Sequence, residues 1–120
     1  MKAEIATLWQ EAPLSGKYEQ GQSALNSHGK LCCLGVLCEV AIEAGLQLKK
    51  TRHRKSYLYG EDDDSGFLPQ EVMEWADIKT TRGTFIYPDG RASNSLTLMN
   101  DNGNTFSEIV EVIGKVADQF

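Results

Sequence analysis

The residues whose types and spacing could do chemistry in this 120-residue chain are cations set among aromatics and amides. Arg52, Arg54 and Lys55 stand beside Tyr57 and Tyr59, Arg82 precedes Phe85, and Arg91 and Asn94 follow the turn-forming Tyr87-Pro88-Asp89-Gly90. Arginine forks grip phosphates bidentately and an aromatic face stacks a base, so a phosphate-bearing nucleotide-like ligand calls for both. Tyr18 and Gln20 have no evident core role and supply a candidate polar wall near the start of the core helix. The competing account of Tyr18, Gln20 and Gly21 is a strand edge with a bulge at the glycine. The expected ligand set is therefore Tyr18, Gln20, Arg52, Arg54, Tyr57, Arg82, Arg91 and Asn94, weighed against a plain mixed-charge loop and hairpin that bind nothing.

Other conspicuous groups lead to no reaction. Cys32, Cys33 and Cys38 have a CC-x4-C spacing, but structural zinc wants four tetrahedral ligands and only His28 is close in sequence. A nucleophilic thiol would need His28 or His53 beside it and some exposure. Buried free thiols are the simpler expectation. The stretch Asn100 to Asn104 alternates oxygen side chains, yet its glycine sits at the wrong position for a calcium loop and most of the ligands would be neutral amides. The acidic run Glu61 to Asp64 reads as a solvated loop. Glu39 and Glu43, four apart, read as the polar face of a helix rather than an acid-base pair. No metal, cofactor or catalytic set is expected.

Composition bounds the rest. A chain of 120 residues with 41% hydrophobic and 24% charged residues is expected to be one compact domain, residues 1–120, with a core that needs no disulfides. The net charge of −5 argues against general nucleic-acid binding, which requires an excess of cations. No apolar run is long enough for a bilayer, and the first ten residues lack a signal pattern, so no membrane association and a cytoplasmic address are expected. Three clustered cysteines fit reduced thiols in a reducing compartment.

The element that must position these groups is LCCLGVLCEVAIEAG, Leu31 to Gly45. A helix over about 33–45 would be apolar nearly all round and so buried by neighbours. Gly45 is a natural left-handed stop and Leu46 can fold back on the last turn. Around it, Ile5, Leu8, Trp9 and Ala12 predict a short helix ending before Pro13, and a turn is expected at Asn26 to Gly29. Two strands, or a strand and a loop, are expected through Leu46 to Gly60, with a solvated loop of mixed sign around the charges there. Pro69 opens a helix through Ala76. A hairpin forms about Tyr87 to Gly90, Ser95 caps a helical turn, and Thr105 with Glu108 makes a capping box for a last helix. The expectation is an α+β domain with about four helices and two small antiparallel hairpins packed on the central helix.

The blocks LSGKYEQGQSAL, GKLCCLGVLCEVAIEAG, LPQEVMEWA and SLTLMNDNGNTFSEIVEVI carry a resemblance. The chain resembles a family of small, mostly uncharacterised bacteriophage proteins with a YxQG, CCLGVLC, LPxEVxEWA and LxxxND(x)G(x)TFxEIA layout. Val110 stands where that layout has alanine, and Asp77 follows the third block where a small turn residue is expected. The cationic stretch lies outside the shared pattern. The resemblance implies an accessory, anti-defence protein of a phage type, acting in the host cytoplasm. The expected activity is capture of a nucleotide-derived signal molecule without chemistry, as a homo-oligomer. The alternative is an inhibitor that binds a host defence protein through an acidic or apolar surface; a third reading is a nucleotide-hydrolysing enzyme.

Overall fold

The computed structural model describes residues 1–120 and has an α+β fold. Helix α1 (Ala3–Glu11) runs into a 3-10 turn, then come strands β1 (Glu19–Gln20), β2 (Asn26–Ser27) and β3 (Lys30–Leu31) and helix α2 (Cys33–Glu43). Strands β4 (Lys50–His53) and β5 (Ser56–Tyr59) form a hairpin, followed by α3 (Gln70–Ala76) and the hairpin β6 (Thr84–Ile86) and β7 (Ser93–Ser95). Helices α4 (Leu96–Asp101) and α5 (Phe106–Val116) complete the chain. No helix is long and apolar enough to cross a membrane.

Helix α2 is the buried centre. Every residue from Cys33 to Cys38, together with Val40 and Ala41, is buried, and α2 packs against α1, α3 and α4. Burial of this kind contributes about 25 cal/mol per Å² of apolar surface, which explains why a short helix with no side-chain cap at Cys32 persists. Its end follows the sequence: Gly45 has φ +104°, and the Leu46 N–H donates to the Ala41 carbonyl at 2.9 Å. Trp9 of α1 is fully buried and donates its indole N–H to the Cys33 carbonyl at 2.9 Å.

One close approach sets how tightly the chain wraps this helix. A Cβ added to Gly35 would overlap the Leu25 carbonyl, so the segment before β2 lies directly on the helix backbone. Only glycine permits that approach.

The sheet is larger than two separate hairpins. The β2–β3 and β4–β5 hairpins join through the Ser27 and Ser56 pair, and β1 adds in parallel beside β3, giving five strands in the order β1-β3-β2-β5-β4. The β6–β7 hairpin stands apart as expected, with Gly90 N–H donating to the Tyr87 carbonyl at 2.8 Å. There are five α-helices, and Ser95 and the Thr105–Glu108 capping box start α4 and α5 as expected. Asp77 adopts φ +56° and ends α3 in the left-handed conformation, a role that aspartate tolerates better than most side chains.

Gly35→Ala is expected to lower folding stability by about 2–4 kcal/mol through overpacking of backbone on backbone. Ser107→Ala, on the exposed face of α5, should stay within about 0.5 kcal/mol. Urea midpoints of the two variants measure the difference.

Candidate functional site

The eight expected ligand residues fall in several places, a correction to the single site that they were expected to form. Arg52 and Tyr57 are cross-strand partners on the β4–β5 hairpin. Arg54 stands at the tip of that hairpin with φ +59°, and its carbonyl accepts from Arg52 Nε at 3.2 Å. Arg82 lies over Phe67, guanidinium to ring 4.7 Å. Arg91 pairs with Asp89 at 3.1 Å and lies over Tyr87 at 4.6 Å, so its partners are within its own turn. Asn94 donates to the Tyr87 hydroxyl at 3.0 Å. Tyr18 lines a groove between α1 and α2 with Leu8, Val40 and Lys17. The strands that carry these residues belong to different sheets, and nothing in local sequence spacing brings the two hairpin turns together.

Gln20 is a structural residue. Its Oε1 accepts from the Phe106 N–H at 3.0 Å, and its Nε2 donates to Asn100 Oδ1 at 3.0 Å and to the Asn104 carbonyl at 2.8 Å. Asn100, fully buried, accepts from the Cys33 N–H at 3.2 Å and donates to the Gly21 carbonyl at 2.7 Å. The two amides thus satisfy the first N–H groups of α2 and α5, which have no partner within their own helices. The Gly21 position is also tight, because an added Cβ would press on Lys30. Gln20, Gly21 and Asn100 thus each have a structural role in this clasp.

The cysteines are free and buried. Burial pushes all three thiols above their ordinary value, which keeps them protonated and poor nucleophiles. Glu39 is less solvated than a polar helix face implies: its Oε2 accepts from the Tyr59 hydroxyl at 2.6 Å and pairs with Lys50 at 3.0 Å. Tyr59 also accepts from Asn26 at 3.0 Å. Burial and then the Glu39 hydrogen bond raise the Tyr59 phenol above its usual value. This network anchors the β4–β5 hairpin to α2.

The cations that do converge sit where two hairpin turns lie side by side. The β2–β3 turn is His28-Gly29, both at positive φ, 56° and 76°; the β4–β5 turn is Arg54-Lys55. Because Ser27 pairs with Ser56, the His28 N–H reaches the Lys55 carbonyl at 2.8 Å. His28, Gly29, Arg52, Lys55 and Tyr57 line one cavity of about 400 Å³. The Arg52 side chain is oriented through Nε, and its terminal nitrogens take part in none of the hydrogen bonds or ion pairs of the chain. His28 Nδ1 lies 2.8 Å from Ser27 Oγ, so Nε2 carries the free lone pair or proton. Tyr57 is half-buried, with Lys50 Nζ 4.5 Å from its ring centroid. This arrangement places three cationic or protonatable groups and one aromatic ring around a small-molecule-sized space.

Lys55 stood among the cations set beside the tyrosines but not in the expected ligand set, and His28 was weighed only as a partner of the cysteines. The signal for His28 is the short run Asn26-Ser27-His28-Gly29-Lys30, which marks a two-residue hairpin turn. It shows that His28 is at a turn but not which turn faces it.

Tyr59 and the three thiols give a pH dependence. Each has a folded pKa above its ordinary value, so its stabilising contribution is complete below pH 9 for the thiols and below pH 10 for the phenol. It is lost as the pH rises above those values, where the unfolded chain ionises first. The urea midpoint should fall through this window, and Tyr59→Phe should make the fall shallower above pH 10.

No curated protein and no solved structure matches the chain. The profile of one family does match, over residues 1–117. The chain therefore belongs to DUF8296, a domain of unknown function.

Proposed function

We propose that this protein binds a phosphate-bearing, nucleotide-derived small molecule without chemically changing it, at the cleft formed by His28, Arg52, Lys55 and Tyr57. The observation that carries this reading is the meeting of Arg52, Lys55 and His28 with an aromatic ring around one cavity of about 400 Å³. Guanidinium and ammonium groups take phosphate oxygens, and the ring offers a face for a base. The cations are concentrated here in a chain of net charge −5, so a local positive field stands against an acidic background and favours an anion at this end. A cleft without an assigned nucleophile or acid-base pair suits capture rather than turnover. The phage-type, anti-defence setting in a host cytoplasm rests on the resemblance of the four sequence blocks.

A second reading is supported by a different face. Asp62, Asp64, Glu74 and Asp77 surround Leu68, Met73 and Ile78 at a cavity of about 550 Å³. Burial, then Asp62, Glu71 and Asp63, raise the Asp64 carboxyl above its ordinary value. An acidic rim around apolar side chains suits a basic protein partner, and so an inhibitor of a host protein.

Cyclic and ADP-ribose-type nucleotides discriminate the readings. Binding should raise the melting temperature, since a ligand at one hundred times its Kd stabilises the fold by about 2.7 kcal/mol. Arg52→Gln and Lys55→Gln should each weaken binding by about tenfold or more, and Arg91→Gln should leave it unchanged. Recovery of intact ligand distinguishes capture from hydrolysis. If no nucleotide in the panel shifts the melting temperature, capture is wrong, and a stoichiometric host-protein complex lost on charge reversal of Asp62 and Glu74 would establish the second reading.

A further inference from the structure

We propose a second, chemically distinct binding site in the cavity between the Phe67 segment and α4, shaped for a small zwitterion with an apolar side chain, of the α-amino-acid class. The cavity is about 310 Å³ and is lined by Cys32, Phe67, Arg82, Ser95, Leu98 and Asp101 among others. It shares no lining residue with the His28 and Arg52 cleft.

Two of its walls are apolar and open to solvent: Phe67 is 42% and Leu98 53% exposed. The two charges it presents are of opposite sign and are not joined. Arg82 and Asp101 take part in none of the ion pairs of the chain. Instead, the Arg82 guanidinium lies over the Phe67 ring at 4.7 Å, and its backbone carbonyl accepts from Thr97 Oγ1 at 3.2 Å, which ties its segment to α4. Asp101 Oδ1 accepts from the Ser23 N–H at 2.8 Å, an interaction that positions the carboxylate and leaves its second oxygen to a ligand.

Opposite charges that border one small space without meeting are satisfied by a molecule carrying both complementary charges. Arg82 takes a carboxylate bidentately; Asp101 takes an ammonium. An apolar side chain then lies along Phe67 and Leu98, where its burial contributes about 25 cal/mol per Å². The floor suits this body: Cys32 is 7% exposed and its thiol is kept neutral by burial. A polyphosphate is disfavoured by the same charges, because the single cation is offset by a carboxylate that repels a second phosphate. Arg82 therefore belongs to a site of different chemistry from the nucleotide set in which its residue type first placed it.

The test is titration of the ¹⁵N-labelled full chain with L-leucine and L-phenylalanine, alongside 4-methylpentanoate, which lacks the ammonium, and 3-methylbutylamine, which lacks the carboxylate. The amino acids should give saturable shifts of the amides of Gly66, Phe67, Thr97 and Leu98, with each single-charge analogue binding about tenfold more weakly or worse. Arg82→Gln and Asp101→Asn should each cost a similar factor. Asp101→Asn retains an acceptor for Ser23 N–H, and Leu98→Ser, at an exposed position, lowers affinity without touching either charge. Absence of saturable shifts up to about 10 mM, equal binding of the single-charge analogues, or shifts centred on His28 and Arg52 would overturn the proposal.

Discussion

The arrangement of this fold depends on a pair of side-chain amides. Asn100 and Gln20 hydrogen-bond to one another and between them hold the first N–H of α2, the first N–H of α5, the Gly21 carbonyl and the Asn104 carbonyl. Helix starts need acceptors, and a buried start without one is costly. Here both acceptors come from residues remote in sequence. The consequence is that β1, α2, α4 and α5 are locked in one geometry by a fully paired polar cluster, and no buried side-chain nitrogen or oxygen in the chain lacks a partner. Such a network is intolerant of change, because a lost member strands the others in a low-dielectric interior.

A second, looser network does the same for the hairpin that carries the candidate nucleotide cleft. Glu39 on α2 binds both Tyr59 and Lys50, and Lys50 in turn rests against Tyr57. The core helix thereby fixes the inner end of β4 and β5, and the outer end projects Arg52 and the Lys55 turn toward His28. Rigid anchoring at one end and solvent-facing cations at the other are what a preformed anion site requires, since less ordering remains to be done on binding.

The three conspicuous cysteines illustrate how residue type can mislead. Their clustering invites a metal or redox role, but Cys33 and Cys38 are fully buried and Cys32 nearly so. They serve α2 as small apolar side chains. The arginines mislead in the opposite direction. Arg91 is matched by Asp89 two residues earlier, and Arg82 faces a cavity bordered by a carboxylate, so equal charges in the sequence have unequal availability in space.

The sequence by itself determined the elements and their ends. The apolar character of Leu31 to Gly45, interrupted only by Glu39 and Glu43, made α2 the core, Gly45 stopped it, Ser95 and the Thr105–Glu108 box started α4 and α5, and Pro88-Asp89-Gly90 turned the β6–β7 hairpin. These are short-range effects of burial periodicity, capping and φ preference, and they act within a few residues. Only the tertiary structure decided that Gln20 reaches Asn100 across eighty residues, that the His28 and Lys55 turns lie together, and that Arg82 and Asp101 border one cavity. The turn meeting follows from the β2–β5 pairing, and the close seat of Leu25 on Gly35 fixes how the preceding segment lies on α2. Both are long-range contacts whose partners are set by how the whole core packs, which no local pattern encodes.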